Sequence, residues 1–300
     1  KVDLWQSDDI IPRETLISKI KAKDGLLCLL TDKIDKEVLD SAGDRLQAVS
    51  TISVGVDHIN RSECTMRGIK IGYTPEVLTA ATAEFAVGLL LSTSRRIVEG
   101  THAAKRSNSV FTACVLVLLV DDKTTDRVGT ILILRIANFS HSYFFKYLCV
   151  QFIFFFNNNN FPFLKLKQWF VFVTSFPDLL RESDFIISCC SFNQSTDGVF
   201  DKEAFKQMKN SAIFVNIARG GVVNQDDLYD ALSRNVIRGA GLDVTTPEPL
   251  PTDHPLFTLD NCVVTPHIGS ASEKTRTEMT MLAVENLICA LENRAMPAQY

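Results

Sequence analysis

Three hundred residues of 46% apolar composition suffice for two cores of ordinary domain size. The net charge of −4, from 31 basic and 35 acidic side chains with no basic run, implies neither nucleic acid nor an anionic membrane as partner. Eight cysteines without a C-x-x-C spacing read as buried thiols of a reducing, cytoplasmic compartment rather than as disulfides or a zinc site. No signal peptide opens the chain, and it starts at Lys1 rather than Met, so a preceding N-terminal segment is expected.

Residues 24–30 form an apolar run after polar residues and predict a strand. Residues 35–42 suit a helix closed by Gly43. A second strand, 46–53, runs into Val54, Gly55, Val56, Asp57 and His58. Gly55 either makes a turn or lets the backbone approach a ligand, since it has no Cβ; His58 reads as a structural histidine at a loop edge. A short strand at 70–73 precedes a long helix over 79–100. Ala83, Phe85, Ala86, Leu89, Leu90, Ser94 and Ile97 are spread round most of that helix, so it is expected to be largely buried. Thr82, near its start, suits a cap. The apolar run 110–120 is shorter than the roughly 20 residues needed to span a bilayer. From 184 onward strands and helices alternate: strands at 184–190, 212–217, 239–244 and 262–265, helices at 201–208 and 225–233. That is the pattern of a parallel sheet. A last helix over 272–292 is capped by Ser272.

The three later strands end in residues that carry chemistry. Arg219 follows the first, Asp243 and Glu248 the second, and His267 the third. In open parallel α/β sheets ligands bind beyond the carboxyl ends of the strands, so these groups can converge. Singly, each has a bland reading: a surface ion pair for Arg219, a solvated loop acid between Pro247 and Pro249 for Glu248, a structural histidine for His267, a turn residue for Asp243. Together they suit reduction of a 2-keto acid. A guanidinium grips carboxylate or carbonyl in a planar fork and stays charged. An imidazole exchanges a proton near neutral pH, and a carboxylate beside it orients it. No side chain supplies a hydride, so a cofactor must.

The segments NIARGGVVNQDDLYDAL, AGLDVTTPEPLPTDHPL and VVTPHIGSA, with GLLCLLTDKID, STISVGVDHI and IGYTPEVLTAATAEFAVGLLL, resemble the D-isomer-specific 2-hydroxyacid dehydrogenases. The resemblance covers 1–99 and 177–300. It implies an α/β fold of two doubly wound, Rossmann-like domains with a cleft between them. Residues 1–77 and 272–300 would form the substrate domain, lacking the family's first strand, and 78–271 the dinucleotide-binding domain. It implies NADPH- or NADH-dependent reduction of glyoxylate and hydroxypyruvate, with Arg219, Glu248 and His267 as the catalytic set. Backbone N–H groups of Val54 and Gly55 would hold the substrate carboxylate. Thr82, Ser191, Ile217, Asp243, Gly269 and Ser270 would lie on the cofactor side, with Asp243 at the nicotinamide amide. The helix at 79–100 would contribute to a homodimer interface. The same fold also serves a dinucleotide-sensing corepressor that works by binding partners, which is the rival reading.

Residues 101–176 depart from the family. Where it has V-G-I-x-G-x-G-x-I-G, this chain reads RVGTILILRIA, with Leu132, Leu134 and Ala137 in the glycine places. No glycine occurs from Thr130 to Asp197, although pyrophosphate needs close backbone approach at a helix N-terminus. Residues 138–176 hold 12 of the 20 phenylalanines and the run Asn157 to Asn160. Lys146, Pro162, Lys165 and Lys167 break any membrane segment there, and a solvated low-complexity insert is seldom so aromatic. Phe, Asn, Lys and Ile are what translated AT-rich noncoding DNA yields, so a retained intron or faulty gene model is the expected origin. The lost glycines imply poor cofactor binding, and an inactive version of the enzyme is a third reading beside the reductase and the corepressor. Sequencing the mature transcript across 110–178 checks the origin: the dominant spliced message is expected to lack the text for FIFFFNNNN, and a message that carries it removes the idea.

Overall fold

The structure is a computed structural model that describes residues 2–7, 9–106 and 175–300, and the backbone of 130–133, 151–154 and 170–172. It divides into two compact units, Lys1–Thr79 with Ser270–Tyr300, and Ala80–Gly269.

The first unit is built on a three-stranded parallel sheet in the order β1 (Gly25–Cys28), β2 (Ala48–Thr51), β3 (Lys70–Gly72). Alternate side chains of a strand point to opposite faces, and both faces are covered. Val49 and Ile71 pack against Leu16 of α1 (Arg13–Lys19) and Ile20 just after it, Val38 and Leu39 of α2 (Lys36–Ala42), and Cys64 of α3 (Arg61–Met66). Helices α1 and α3 were not anticipated from the sequence. On the other face Ala48 meets Cys289 and Ala290 of the last helix, α9 (Glu273–Leu291), and the Ser50 hydroxyl donates to the carbonyl of Ala283 at 2.8 Å. A Cβ at Gly25 would come within 2.8 Å of the Leu287 side chain of α9, and one at Gly72 within 2.7 Å of Met296. Asp35 caps α2 and Ser272 caps α9, each accepting from a backbone N–H three residues on.

The second unit holds seven parallel strands in the order β10-β9-β8-β7-β4-β5-β6. They are β4 (Thr130–Ile133), β5 (Gln151–Phe154), β6 (Phe170–Phe172), β7 (Phe185–Ser188), β8 (Ile213–Asn216), β9 (Gly239–Leu242) and β10 (Cys262–Val264). The chain runs outward from β4 to β6 and returns beside β4 as β7, a doubly wound order whose switch point lies between β4 and β7. Three of these strands fall inside the stretch the sequence sets apart, and their backbone continues the sheet; the sequence reading did not anticipate them. The positions of Leu134 and Ala137, the apolar run 110–120 and the asparagine run lie outside the described residues, whereas Leu132 belongs to β4.

Helix α4 (Thr79–Ser94) covers one face of this sheet: its Ala86, Leu89 and Leu90 pack on Ile187, Ile213, Val215 and Val263. Helices α6 (Phe176–Glu182), α7 (Lys202–Gln207) and α8 (Gln225–Ser233) cover the other, with Phe205, Phe214, Leu228, Leu232 and Leu242 at its centre. The expected single helix over 79–100 is instead two. After Ser94 the chain tightens, Arg96 adopts a left-handed backbone (φ 52°), and α5 (Ile97–Lys105) begins. The Thr93 hydroxyl bonds back to the Leu89 carbonyl at 2.8 Å, a contact known to perturb a helix ladder locally. Nor is α4 buried all round. Ala80, Glu84, Gly88 and Leu91 form an exposed stripe at helical spacing. Thr82 lies inside this helix rather than at its cap.

Among the described residues no helix is long and apolar enough to cross a membrane. Cys28, Cys64, Cys189, Cys190, Cys262 and Cys289 are thiols, not disulfides. Burial pushes the fully enclosed Cys64 thiol up to about 11, and that of Cys28 further, which leaves both protonated and unreactive. Phe214 is 0% exposed, with its ring 4.7 Å from that of Phe200 and 5.7 Å from that of Phe205. Phe214→Ala is therefore expected to destabilise the second unit by about 3–5 kcal/mol, measured by urea denaturation.

Candidate active site

Strands β8, β9 and β10 are adjacent and parallel, so the loops that follow them leave one edge of the sheet together. Each loop carries one of the residues singled out from sequence. The arrangement is built from four local devices.

The first is the turn after β8. Asn216, the last residue of that strand, is 0% exposed. Its side-chain carbonyl accepts from the N–H of Ala218 at 3.1 Å, and its amide donates to the carbonyl of Arg219 at 2.8 Å. An asparagine bonding to the backbone two residues on folds the chain into a tight turn. This turn fixes the backbone of Arg219, whose Nη1 donates to the carbonyl of Ala218 at 2.9 Å.

The second is a close backbone approach. A Cβ added to Gly220 would lie 2.0 Å from the carbonyl oxygen of Thr245 and 2.5 Å from the Thr246 hydroxyl. Only glycine permits it, and it seats the loop of Arg219 directly against the loop of Glu248.

The third is the loop after β9. Glu248 sits between two cis X-Pro bonds, Thr246-Pro247 and Glu248-Pro249. Its Oε1 accepts from the N–H of Thr245 at 3.0 Å, and the Thr245 hydroxyl donates to the carbonyl of Pro247 at 2.9 Å. The other oxygen, Oε2, lies 3.1 Å from Nδ1 of His267. An ionised carboxylate only accepts, so Nδ1 carries the proton of that bond. Both side chains are about one quarter exposed, at 24% for His267 and 26% for Glu248, so the pair is sheltered but reachable.

The fourth is the loop after β10. Asp243 is 2% exposed and its carboxylate takes three donors from this loop: the Thr265 hydroxyl at 2.8 Å, the Ile268 N–H at 2.8 Å and the Gly269 N–H at 2.7 Å. Its own carbonyl accepts from the N–H of His267 at 2.9 Å. His267 is held at φ 53°, a left-handed backbone that non-glycine residues adopt seldom and that concentrates at functional sites.

The other residues expected on the cofactor side are distributed as follows. The methyl of Thr82 would be 3.4 Å from a Cβ at Gly269, so α4 reaches the loop after β10. Ile217 is half-buried after β8, and its N–H donates to the carbonyl of Ser188 at 3.3 Å. Ser191 is exposed beyond β7, with its carbonyl accepting from the Thr196 hydroxyl at 2.7 Å. Ser270, 8% exposed, follows Gly269 in the chain. Val54 and Gly55 belong to the first unit, where the Ser53 hydroxyl donates to the Gly55 carbonyl, Val54 is 41% exposed, and His58 is tied to Thr51 at 3.0 Å. The sequence does not single out Asn216, Gly220, Gln225 or Thr265. The pair Gly220-Gly221 was the only visible signal, because partners distant in the chain are invisible to local pattern.

The family model for the D-isomer specific 2-hydroxyacid dehydrogenase NAD binding domain matches residues 151–269, beginning inside the stretch that the sequence sets apart. The chain is 45% identical over 300 residues to the glyoxylate reductase/hydroxypyruvate reductase of Homo sapiens, covering 100% of this chain and 90% of that protein. The chain belongs to the D-isomer specific 2-hydroxyacid dehydrogenase family. Among solved structures, the TT0316 protein of Thermus thermophilus superposes with a TM-score of 0.82 at 35% identity, covering 97% of this chain and 90% of that one. An NADPH-dependent glyoxylate/hydroxypyruvate reductase of Sinorhizobium meliloti, in complex with NADP and malonate, has the same fold, with a TM-score of 0.80 at 23% identity over 94% of this chain and 85% of that one. The chain is thus an NAD(P)-dependent oxidoreductase by family, and the partner-binding alternative is not favoured.

Asp243 uses three of about four acceptor positions, so it would have one left for the carboxamide of a nicotinamide. The absent Cβ of Gly269 keeps the backbone open beside it, where a methyl group would press to 2.9 Å of Asp243. For a pyrophosphate, the sequence offers no glycine between Thr130 and Asp197.

The contact at Gly220 has a direct consequence. Gly220→Ala must part the Arg219 and Glu248 loops. Its expected cost is about 1–3 kcal/mol, read from the denaturation midpoint of the second unit.

Proposed function

We propose that this chain reduces glyoxylate and hydroxypyruvate to the corresponding 2-hydroxy acids, with NADPH or NADH as the reductant. The observation that carries the reading is the 3.1 Å contact between His267 Nδ1 and Glu248, one strand away from Arg219 on the same sheet edge. The names of the related reductases supply the substrate class.

The residues divide the work. Arg219 binds the anionic substrate through its guanidinium and polarises the carbonyl. The backbone N–H groups of Val54 and Gly55 receive the substrate carboxylate. Glu248 accepts from Nδ1 and so fixes the ring, which keeps the proton on Nε2 aimed at the carbonyl oxygen. That proton is delivered as the oxygen gains charge, and the product leaves as the hydroxy acid. A bound nicotinamide supplies the hydride to the carbonyl carbon. Thr82, Ser191, Ile217, Asp243, Gly269 and Ser270 line its side of the site. The active form is a cytoplasmic homodimer that takes a small keto acid as its only partner besides the cofactor. Leucine in the place of the pyrophosphate-binding glycines weakens cofactor affinity, so activity needs a high cofactor concentration.

Titrating NADPH against the purified chain by fluorescence, then adding hydroxypyruvate and following nicotinamide absorbance, tests this. Weak binding with keto-acid-dependent oxidation is the expected result. His267→Gln is expected to lower kcat about 10²–10⁴-fold, and Arg219→Lys to raise the KM for the keto acid. No oxidation at any cofactor concentration refutes the proposal.

A further inference from the structure

We infer that Gln225 is a positioning residue for the proton-transfer pair: its amide registers Glu248 against His267. The inference rests on the reading of that pair as the proton-delivering group.

Gln225 is the first residue of α8, which is capped by Asn224, whose side chain accepts from the N–H of Asp227 at 3.2 Å. The Gln225 side chain turns away from that helix toward the loop after β9. Its Oε1 accepts from the N–H of Thr246 at 2.7 Å, and its Nε2 donates to the carbonyl of the same residue. One primary amide thus pairs both backbone groups of Thr246, as a neighbouring strand would. Thr246 lies between two residues that matter. Thr245 on one side donates its N–H to Glu248, and its carbonyl is the atom that Gly220 approaches. Glu248 on the other side meets His267.

A short loop carrying two prolines has few N–H groups of its own with which to close internal hydrogen bonds. Gln225 supplies the missing partner from outside. Glycine at 220 allows the two segments to touch, and the amide at 225 sets how they are registered along each other. The segment from Arg219 to Gln225 thereby does two things: it presents the substrate-binding cation at one end and braces the carboxylate loop at the other. Misplacement by about 1 Å at a proton-transfer geometry can cost a factor of 10² in rate, so a brace of this kind is felt in kcat.

Gln225 is half-buried on a helix end, so its variants leave the cores untouched. Gln225→Ala removes both hydrogen bonds, and Gln225→Met removes them while keeping side-chain length. Each is expected to lower kcat for hydroxypyruvate reduction about tenfold, with the keto-acid KM changed less than about twofold, because Arg219 is held by Asn216 rather than by Gln225. If Gln225 acts through Glu248, the loss vanishes in a Glu248→Gln background; a residue of merely structural role would add its loss there. The ¹⁵N resonances of the His267 ring, assigned by their disappearance in His267→Gln, give a readout independent of turnover. Both Gln225 variants are expected to move them in the direction that Glu248→Gln does. Unmoved ring resonances, or losses that add in the double variants, overturn the inference. Absence of turnover in the wild-type chain would instead refute the reductase reading, and the ring resonances would still decide the role of Gln225.

Discussion

The buried carboxylate of Asp243 is the constraint on which the site depends, because a carboxylate withdrawn from water must be surrounded by donors, and here the donors all come from one loop. Three hydrogen bonds of 2.7–2.8 Å tie Thr265, Ile268 and Gly269 to it. The residue enclosed by those contacts is His267, held with a left-handed backbone that it would not adopt unaided. Leaving one oxygen of this carboxylate without its donors would cost more than any single bond contributes, so the loop has one geometry rather than several.

Around that anchor the structure couples elements through backbone rather than through packing. The Arg219 segment is shaped by Asn216 from within, touches the Glu248 segment at Gly220, and grips it again at Gln225. None of these contacts buries much apolar surface. Their function is registration: three loops from three strands share hydrogen-bond partners, and a shift in one is resisted by the other two. The hydrophobic cores on either face of the sheet supply the stability against which this arrangement is held.

The two halves of the second unit differ. Helix α4 and the chain from α6 onward carry the described cores, and the candidate site lies on the loops after β8, β9 and β10. The backbone of β4, β5 and β6 continues the same parallel order, yet the segment between Thr130 and Asp197 offers no glycine for a pyrophosphate.

Much of the fold was legible in the chain. Apolar runs of four to eight residues alternating with helices announced a parallel sheet, and α8 spans the residues 225–233 expected for it. The placement of Arg219, Glu248 and His267 after three neighbouring strands was legible too, because apolar runs mark where each strand ends. The break after Ser94, the exposed stripe of α4 and the short helices α1 and α3 were not, since they depend on what each surface meets. The contacts of Gln225, Thr265 and Gly220 were equally hidden. Local sequence determines which backbone conformations are cheap and which faces are apolar. Which distant carbonyl a glycine will lie against, or which loop an amide will pair with, is decided only when the strands assemble, because those partners are 20 or more residues away and come within reach through sheet order alone.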